Sequence, residues 1–541
     1  MSKKVLFLTE SSHLASGFGT YSREIISRLH ATGKYDLAEF ASYGSPEAGK
    51  SVPWTYYNNS PENEEDHKAY GQNQANHFGI WRFDQVLLHF KPDIVITYRD
   101  PWMDEWVRQS PLRKYFHWSW MPTVDSAPQK RSWLDTFSTC DSIFAYSEYG
   151  IKVLEEQGGG KIPIIGCASP GIHPDIYKPV EDKRAHKKSL GIPEDSFIVG
   201  TVMRNQTRKL FIELMKSFRI FLDNAPKEIA DKTYLYLHTS YPEKSGWDIE
   251  GGIIEYQLGS KVLNTYRCRQ CKSWKASKYD GVISGCLRCG HRTSFMPNVS
   301  DGLEVDELVS VYNLFDLYVQ YAICEGFGMP QVEAASCGVP IAATNYSAME
   351  DVVSHTSGFP ISIDKMFRDM NTGADRAYPS NAHLAQIMEE YFSKDQSYRD
   401  TKSKEARIGA IKRYDWDNTA RVWENHIDSY VPHEYQGKWD SPPTLLNIPE
   451  KIPSFDMHQD FVSWCAATML DSFTMNTEAN GYQMMRQVDS LNYGCDIHNN
   501  LSPVSRQIIF NSYKNRAARL NESEKVRCGM LPLADIGYVH E

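Results

Sequence analysis

Two carboxylates, Glu325 and Glu333, bracket a segment that contains two glycines (GFGMPQV). An apolar, β-rich run at 317–319 precedes them, and residues 333–337 have a helical pattern that Gly338 closes. The backbone amides of residues 326–329 should therefore open a helix N-terminus, which attracts phosphate or sugar oxygens. The pattern predicts a site for a ligand that carries both phosphates and hydroxyl groups, such as a nucleotide-sugar. A tight turn that only requires glycine is the simpler alternative.

Four cysteines have a spacing that suits a metal ion. They form the pattern C-x2-C-x14-C-x2-C, and two thiolate pairs at this spacing complete a tetrahedron around zinc. Because sulfur fills all four positions, the predicted site is structural and leaves no place for a catalytic water. Four free thiols are the alternative. The predicted zinc ligands are Cys268, Cys271, Cys286 and Cys289.

The segment around these cysteines is strongly basic. Residues 266–295 hold seven Lys or Arg and one acid, a charge of +6 within a chain whose net charge is −10. Aromatic residues alternate with the cations, a mixture that binds phosphates and stacks on bases. The segment predicts contact with nucleic acid, and a zinc-stapled flap with solvated lysines is the alternative. The predicted contacts are Arg267, Arg269, Lys272, Trp274, Lys275, Lys278, Arg288 and Arg292.

Length and composition set the wider frame. A chain of 541 residues should fold as several units, since domains typically hold about 100–200 residues. The first ten residues have too short an apolar run for a signal peptide, and we expect no membrane span. The other seven cysteines are scattered, which suits reduced thiols. We therefore expect a cytoplasmic protein, in the host cytoplasm if the chain is viral.

The N-terminal part alternates strand-like runs, at 5–8, 94–97, 143–146 and 162–166, with helical stretches. This is the rhythm of a parallel sheet. After the first strand, Gly17 and Gly19 precede a helix that we expect Thr20 to cap. A second unit starts near residue 196 with a strand, a polar turn that carries Arg204 and Lys209, and an amphipathic helix. By themselves the two cations fit a solvated basic turn.

Several of these segments together resemble the retaining glycosyltransferases of family 4, which have the two-domain GT-B fold. The shared features are the E-x7-E motif with EGFG and CGVP in register, the Gly17–Gly19 loop, AYSEYG at 145–150 and PGIHPDIYKP at 170–179. The segment at 414–431 resembles the last helix of that family, which crosses back to the first domain. Leu210 departs from the family pattern, which usually has glycine after the lysine.

The resemblance implies a UDP- or GDP-type sugar donor and no essential catalytic metal. It implies that Glu325 and the amides after it hold the sugar, that Glu333 holds the ribose, and that Arg204 and Lys209 clamp the diphosphate and stabilise the leaving group. The first glycine loop would face the donor phosphates. The implied donor-binding residues are Gly17, Gly19, Arg204, Lys209, Glu325, Gly326, Phe327, Gly328, Met329 and Glu333.

A polar group from the first domain should face the sugar and the acceptor. Asp125 follows a predicted strand and a proline, and it resembles a P-x-D-G segment of some family members, with Ser126 in place of the glycine. His117 is the second candidate, although a histidine in an aromatic run is more often packed than catalytic. Asp100, at the end of the strand at 94–98, is the third.

The expected fold is α/β, with two Rossmann-like domains in the GT-B arrangement, an inserted zinc ribbon and a mainly helical C-terminal extension. We expect the N-terminal domain at 1–180, the donor domain at 181–430 and the ribbon at 258–298. A linker with five prolines should follow at 431–455, and an extension without assigned role at 456–541.

The resemblance implies transfer of a sugar with retention, and the basic ribbon directs the acceptor prediction. We expect a modified base in double-stranded DNA, such as 5-hydroxymethylcytosine. A modified tRNA nucleoside, or a glycan or lipid-linked saccharide, is the alternative acceptor. A third hypothesis is a zinc-dependent nucleic-acid binder without activity, which four retained site residues (Arg204, Lys209, Glu325 and Glu333) disfavour.

Overall fold

The computed structural model describes residues 2–432 except 111, 299 and 300, together with residue 439. The predicted C-terminal extension, and the predicted linker apart from 431, 432 and 439, lie outside the described residues.

The first half is built on a parallel sheet of seven strands in the order β3-β2-β1-β4-β5-β6-β7. The four predicted strands appear within two residues of their expected bounds. The strands are β1 (Lys3–Glu10), β2 (Tyr35–Ser42), β3 (Thr55–Asn58), β4 (Ile94–Thr97), β5 (His117–Trp120), β6 (Ser142–Ala145) and β7 (Ile164–Cys167). The helices are α1 (Gly17–Ala31), α2 (Glu64–Gln72), α3 (Phe83–Phe90), α4 (Pro101–Asp104), α5 (Arg131–Phe137) and α6 (Glu148–Gly158).

The second half is built on a sheet in the order β11-β10-β9-β8-β13-β14-β15, with β12 also paired to β10. Its strands are β8 (Phe197–Val202), β9 (Thr233–His238), β10 (Val262–Cys268), β11 (Trp274–Lys278), β12 (Ser294–Phe295), β13 (Leu317–Gln320), β14 (Ile341–Thr344) and β15 (Phe359–Ile361). A separate hairpin consists of β16 (Ile363–Arg368) and β17 (Asp375–Pro379).

The helices of the second half cover this sheet and close the described chain. They are α7 (Lys183–Ser189), α8 (Phe211–Asn224), α9 (Lys227–Ala230), α10 (Ile249–Glu255), α11 (Val305–Tyr312), α12 (Met329–Ser336), α13 (Ala348–His355), α14 (Asn381–Ser393), α15 (Gln396–Arg413) and α16 (Trp416–Ser429).

Both sheets are buried on their two faces. Val5, Leu6, Phe7 and Leu8 of β1 are fully buried, as are all residues of β4, β13 and β14. Strands buried on both faces have continuous apolar runs instead of alternating ones, which is why the sequence shows them clearly. The predicted α/β class with two Rossmann-like sheets is confirmed. Residues 262–295, which carry the four cysteines and which we call the cysteine-rich hairpin, extend the edge of the second sheet. In this hairpin β11 and β12 pair antiparallel with β10.

The first helix begins earlier than the sequence suggested. We expected Thr20 as its cap, but α1 starts at Gly17 and Ser16 is the N-cap, with its Oγ accepting from the Gly19 amide at 3.0 Å. Ser16 has extended backbone geometry, as a capping residue requires, whereas Thr20 already lies inside the helix. The glycines therefore belong to the first helical turn.

The last described helix joins the two halves. Residues 414–431 were predicted to be helical, and α16 spans Trp416–Ser429. Trp423 Nε1 donates to Tyr21 Oη of α1 at 2.7 Å, and Arg28 Nε of α1 lies 2.7 Å from Asp417 Oδ1. Because Trp423 is fully buried in this contact, α16 fixes how the two halves lie about the cleft between them.

Candidate functional site

A cleft of about 920 Å³ lies between the two halves, with walls from both. Parallel strands of one sheet end at a common edge, and ligands of such sheets bind beyond that edge. Asp100 and Asp125 line the cleft from the first half, where they follow β4 and β5. From the second half come Arg204, Lys209, Glu325 and Glu333.

Glu325 and Lys209 are in direct contact at the floor of the cleft. The Lys209 ammonium pairs with Glu325 Oε1, and the two side chains are 7% and 5% exposed. Gln320 Nε2 donates to the same oxygen at 2.5 Å, and the Glu325 amide donates to Ser347 Oγ at 2.9 Å. These contacts hold the Glu325 carboxylate in one orientation at the base of the pocket.

Burial lowers the pKa of the Lys209 ammonium, and the nearby positive charge of Arg208 adds to this effect. The adjoining Glu325 carboxylate opposes the shift, because an opposite charge in contact favours the ammonium form. A buried charge pair of this kind is strongly destabilised when one partner is removed. The Lys209 ammonium is already desolvated, so it would also attract a second anion that enters the cleft.

The turn that carries the basic residues is held by strand-like pairing with the segment after β13. Leu210 N donates to Tyr321 O at 3.0 Å, and Ile323 N donates to Arg208 O at 3.0 Å. Leu210, which departs from the family pattern, is 4% exposed and packs in the core. The pairing brings this turn beside Glu325.

Arg208 is a cleft residue that the sequence reading missed. Its Nη2 lies 3.7 Å from Glu325 Oε2, and it lines the cleft together with Arg204. Arg204 is half exposed and lies 3.6 Å from Glu243. The sequence feature that could have identified Arg208 is its position directly before Lys209 in the same polar turn. The turn therefore presents three cations to the cleft instead of two.

The segment after Glu325 forms the predicted helix N-terminus. The helix starts at Met329, within the predicted N-terminus at 326–329 and four residues before the helical pattern at 333–337, with Gly328 as N-cap at φ +85°. Residues 326–330 line the cleft. A Cβ atom on Gly326 would lie 2.5 Å from Thr123 Cγ2 of the first half, so this close approach of the two halves requires glycine.

Glu333 lies one helical turn beyond Met329 on the cleft face of α12. Its Oε2 accepts a hydrogen bond from Tyr312 Oη at 2.6 Å. Burial raises the pKa of this carboxyl, and the tyrosine hydroxyls of Tyr312 and Tyr177 counter part of the rise. Glu333 thus presents an oriented carboxyl to the cleft, eight positions from Glu325 along the chain.

Of the two glycines in the first loop, the structure brings one to the cleft. Gly17 lines the cleft with Ser16 and Phe18. Gly19 is buried behind them, where its amide serves the Ser16 cap. The expectation that Gly19 faces the donor is therefore corrected: within the first helical turn, positions 17 and 19 point in different directions.

Asp125 lines the cleft and is held by the second half. Arg376 Nη1 of β17 lies 2.8 Å from Asp125 Oδ1, and Ser126 Oγ donates to the same oxygen at 2.8 Å. Asp100 lies nearby in the cleft wall. Burial raises the pKa of Asp100, and the negative charge of Asp125 adds to the rise. Two carboxyl groups therefore face the pocket from the first half.

His117 is not at the cleft. It is the first residue of β5 and so lies at the amino end of the sheet, whereas Asp125 follows the carboxyl end. Its Nε2 lies 3.0 Å from Ser142 Oγ, and its ring is 5.5 Å from that of His426 on α16. The prediction that His117 faces the reacting centre is corrected, because strand direction puts it at the opposite edge.

The four predicted metal ligands come together. One Sγ atom from each of the four cysteines lies within 4.8 Å of all the others. Each pair sits in a similar turn: Lys272 N donates to Cys268 O, Gly290 N donates to Cys286 O, both at 3.0 Å, and Lys272 and Gly290 have left-handed backbone geometry. Four converging sulfurs on two matched turns fit a tetrahedral zinc ion.

Several cations of the cysteine-rich hairpin are already paired within the protein. Arg267 is 6% exposed and bonds Gly302 O, Glu304 and Glu307. Lys272 lies 3.1 Å from Asp301, and Lys275 Nζ donates to Ser284 at 2.8 Å. Trp274 packs partly buried against the core. The expectation that Arg267 contacts nucleic acid is corrected, because its charge is buried. The exposed cations are Arg269, Lys272, Lys278, Arg288 and Arg292.

A family whose description is "Glycosyl transferases group 1" matches residues 294–365 of this chain. This segment contains Glu325, Glu333 and α12. In Escherichia coli, "Serotype-specific mannosyltransferase WbdA" is 26% identical over 117 residues, 22% of this chain and 12% of the relative. "O-antigen chain mannosyltransferase B" of the same organism is 26% identical over 195 residues, 34% and 42% of the two chains. The chain thus matches less than half the length of these relatives.

Solved structures resemble the chain over most of its described length. "Sucrose-phosphate synthase (tll1590)" from Thermosynechococcus elongatus has a TM-score of 0.54 at 16% identity, covering 80% of this chain and all of that one. Anabaena Alr3699/HepE in complex with UDP-glucose has a TM-score of 0.56 at 14% identity, covering 79% and 100%. These similarities show the fold, which is the GT-B arrangement of two Rossmann-like sheets.

Among the described residues, the helices are all too short or too polar to cross a bilayer.

Proposed function

We propose that this chain transfers a sugar from a nucleotide-sugar donor to an acceptor hydroxyl. The observation that carries the proposal is that Lys209 and Arg208 both pair with Glu325 beside the N-terminus of α12, in a cleft that Arg204 also lines. The proposal is supported by the family match at 294–365, which covers both glutamates, and by the complex of Anabaena Alr3699/HepE, a protein with the same fold, with UDP-glucose.

The cations would neutralise the donor diphosphate as it leaves. A departing nucleoside diphosphate gains negative charge, and preorganised cations in a water-poor cleft stabilise that charge in the transition state. Lys209 is held at the floor and Arg208 beside it, while half-exposed Arg204 lies in the cleft wall. The N-terminus of α12 adds positive partial charge at residues 326–329. All of these groups belong to the second half.

The two glutamates would hold the donor on either side of its phosphates. Glu325, oriented by Gln320 and Lys209, would accept from sugar hydroxyls, and Glu333 would accept from the ribose. We propose retention of anomeric configuration, with the acceptor attacking on the side of the leaving group. In this scheme no side chain acts as a nucleophile, so that the fixed charges carry the catalysis.

Asp125 is our candidate for the first-half group that faces the reacting sugar. It lines the cleft, and Arg376 orients its carboxylate. Asp100 is the second candidate, because its raised pKa lets it exchange a proton nearer neutral pH than an exposed aspartate.

The proposal also concerns the class of molecule that accepts the sugar. A hydroxyl on a modified DNA base or tRNA nucleoside is supported by the exposed cations of the cysteine-rich hairpin, although Asp301 partly neutralises Lys272 and Arg269. A glycan or lipid-linked acceptor is the second candidate. It is favoured by the two Escherichia coli relatives, whose names describe mannosyltransferases.

We also propose that the four cysteines bind one structural zinc ion. All eight cysteines within residues 2–432 are free thiols, which suits a reducing compartment such as the cytoplasm. The proposed organisation is a first domain at 1–180 and a second at 181–430, with the zinc-binding ribbon inserted at 258–298.

The experiment is a transfer assay with the full chain. UDP- and GDP-sugars are offered together with hydroxymethylated DNA, tRNA, oligosaccharides or lipid-linked saccharides, and products are identified by mass spectrometry. A sugar adduct on any hydroxyl, with nucleoside diphosphate released in equal amount, is the expected result. If the donor were not consumed with any of the acceptor classes, the proposal would be contradicted. The class that accepts the sugar decides between the two acceptor candidates.

A further inference from the structure

The cysteine cluster is connected to one wall of the cleft. After β12, the chain passes through Pro297, Asn298 and Gly302, and these three residues line the cleft together with His238, Thr239 and Ser240 at the end of β9. β12 itself pairs with β10 at Cys268, which is one of the four clustered cysteines. The wall therefore begins two residues beyond a strand that the cluster anchors.

Arg267 provides a second connection. It stands directly before Cys268 on β10, and its buried guanidinium bonds Gly302 O in the wall. The same guanidinium lies 3.2 Å from Glu304 and 3.0 Å from Glu307, which together form the capping box of α11. Arg267 thus joins the cysteine strand, the cleft wall and the first turn of the next helix.

The knuckle at Cys271 provides a third connection. Lys272 follows Cys271 in left-handed geometry, and its Nζ lies 3.1 Å from Asp301 Oδ1. Asp301 N in turn donates to Asn298 Oδ1 at 2.9 Å, within the wall. The position of Lys272 depends on the turn that the cysteine pair closes, so loss of the cluster would release this contact as well.

The chemistry of this wall differs from that of the cleft floor. The floor has the cations Arg208 and Lys209 beside Glu325, whereas the wall offers proline, glycine, hydroxyl and amide groups. Burial lowers the pKa of His238 to about 4, so its imidazole is neutral near pH 7. Its Nδ1 lies 2.9 Å from Thr265 Oγ1 of β10. An uncharged wall suits the neutral nucleoside part of a donor, and the charged floor suits its phosphates.

We propose that the four-cysteine cluster, when it holds its metal, is a positioning device for the nucleoside end of the donor pocket. It acts through Arg267 and Lys272, which fix the wall formed by Pro297, Asn298 and Gly302. The inference rests on the proposed function, because it takes the ligand to be a nucleoside diphosphate-sugar. It assigns the inserted hairpin a role within donor binding, separate from any contact with the acceptor.

The test compares two probes, UDP or GDP (whichever binds the native protein more tightly) and inorganic pyrophosphate, by isothermal titration calorimetry. Pyrophosphate reaches the charged floor but has no nucleoside to contact the wall. Removal of the metal with a chelator should weaken nucleoside diphosphate binding about tenfold, equivalent to about 1.4 kcal/mol, and leave pyrophosphate binding unchanged. Circular dichroism and thermal unfolding show whether the metal-free chain stays folded.

Arg267→Met keeps the metal ligands and serves as the second variant if the metal-free chain unfolds. It should retain one zinc per chain, measured by elemental analysis, and weaken nucleoside diphosphate binding selectively. Lys216→Ala, which removes an exposed cation on α8 outside the cleft lining, is the control and should bind both probes as the native chain does.

Equal weakening of both probes, or unchanged nucleoside diphosphate binding in the folded metal-free chain and in Arg267→Met, would overturn the inference while leaving the proposed function intact. A native chain that binds no nucleoside diphosphate would overturn both.

Discussion

Arg376 and Asp125 form an ion pair between the two halves, with Arg376 Nη1 2.8 Å from Asp125 Oδ1. Arg376 belongs to the β16–β17 hairpin of the second half and is 8% exposed, whereas Asp125 belongs to the loop after β5. A second contact supports the same junction, since Asp375 N donates to Ala127 O at 2.8 Å. The carboxylate that we place nearest the reacting sugar is therefore oriented by the opposite half of the molecule.

Arg376→Ala should lower kcat for sugar transfer by about tenfold to a hundredfold, because a misplaced group near the reacting atoms costs rate in this range. The KM for the donor should change little, since the donor phosphates bind elsewhere. Steady-state kinetics measure both constants. Arg376→Lys keeps the charge and should recover part of kcat. An alanine variant with native kcat would show that Asp125 needs no orientation from Arg376.

Glu333→Gln should raise the KM for the nucleotide-sugar about tenfold and leave kcat nearly unchanged. The reason is that the ribose is remote from the bond that breaks, so its contact stabilises ground state and transition state alike. Glutamine still accepts the hydrogen bond from Tyr312, which preserves the local fold. A fall in kcat with unchanged KM would place Glu333 at the reacting sugar instead.

Arg208→Ala should reduce kcat/KM for the donor about tenfold to a hundredfold, because a charge-assisted contact to phosphate is worth about 1.5–3 kcal/mol. Arg208 is 42% exposed, so its loss should leave the thermal unfolding temperature close to native. Lys216→Ala, an exposed cation on α8, is the control and should retain native kinetics. If Arg208→Ala also retained native kinetics, the third cation would have no part in donor binding.

Asp316, whose side chain is 17% exposed, should give the protein an acid-sensitive stability. Burial alone would raise its pKa, but Lys183 at 3.2 Å and Lys187 at 2.6 Å outweigh burial and hold the pKa below its ordinary value of 3.8. A lowered folded-state pKa stabilises the fold above that ordinary value, and this stability is lost as pH falls through the folded-state pKa.

Asp316→Asn leaves the buried ammonium of Lys187 without its partner and should cost about 3–5 kcal/mol of unfolding free energy at neutral pH. Urea unfolding at pH 7 and at pH 3 measures the effect. The difference between variant and native chain should shrink at the lower pH, because protonation removes the native charge as well. An equal difference at both pH values would contradict the role of the Asp316 charge.

The elements of the fold were largely visible in the sequence, whereas the pairings at the site were not. Buried parallel strands such as β4 can be recognised in the sequence as continuous apolar runs, and the glycines at 326 and 328 indicated the start of α12. The contact of Arg208 and Lys209 with Glu325 depends on backbone pairing with residues 321–323, more than a hundred positions away. Spacing along the chain carries no information about such a contact.

Two predicted site residues, His117 and Arg267, lie elsewhere in the structure for reasons that their local sequence does not show. His117 was predicted to face the reacting centre, but it begins β5 and lies at the opposite edge of the sheet, and a short aromatic run does not reveal where a strand begins. Arg267 was counted as a surface cation, although on β10 it points inward to Glu304 and Glu307. Those acids lie outside the basic segment, so local charge counting overestimated the free positive charge.

The pairing of Lys209 with Glu325 at the cleft floor is central to the proposed donor site. The most direct test measures nucleoside diphosphate release and sugar transfer with the cognate nucleotide-sugar, for the native chain and for Lys209→Met, with circular dichroism to confirm folding. We expect stoichiometric release and transfer by the native chain, and a folded variant that is slower by about a hundredfold to a thousandfold in kcat. A folded Lys209→Met variant with native kcat, or a native chain that processes no nucleotide-sugar, would contradict this expectation.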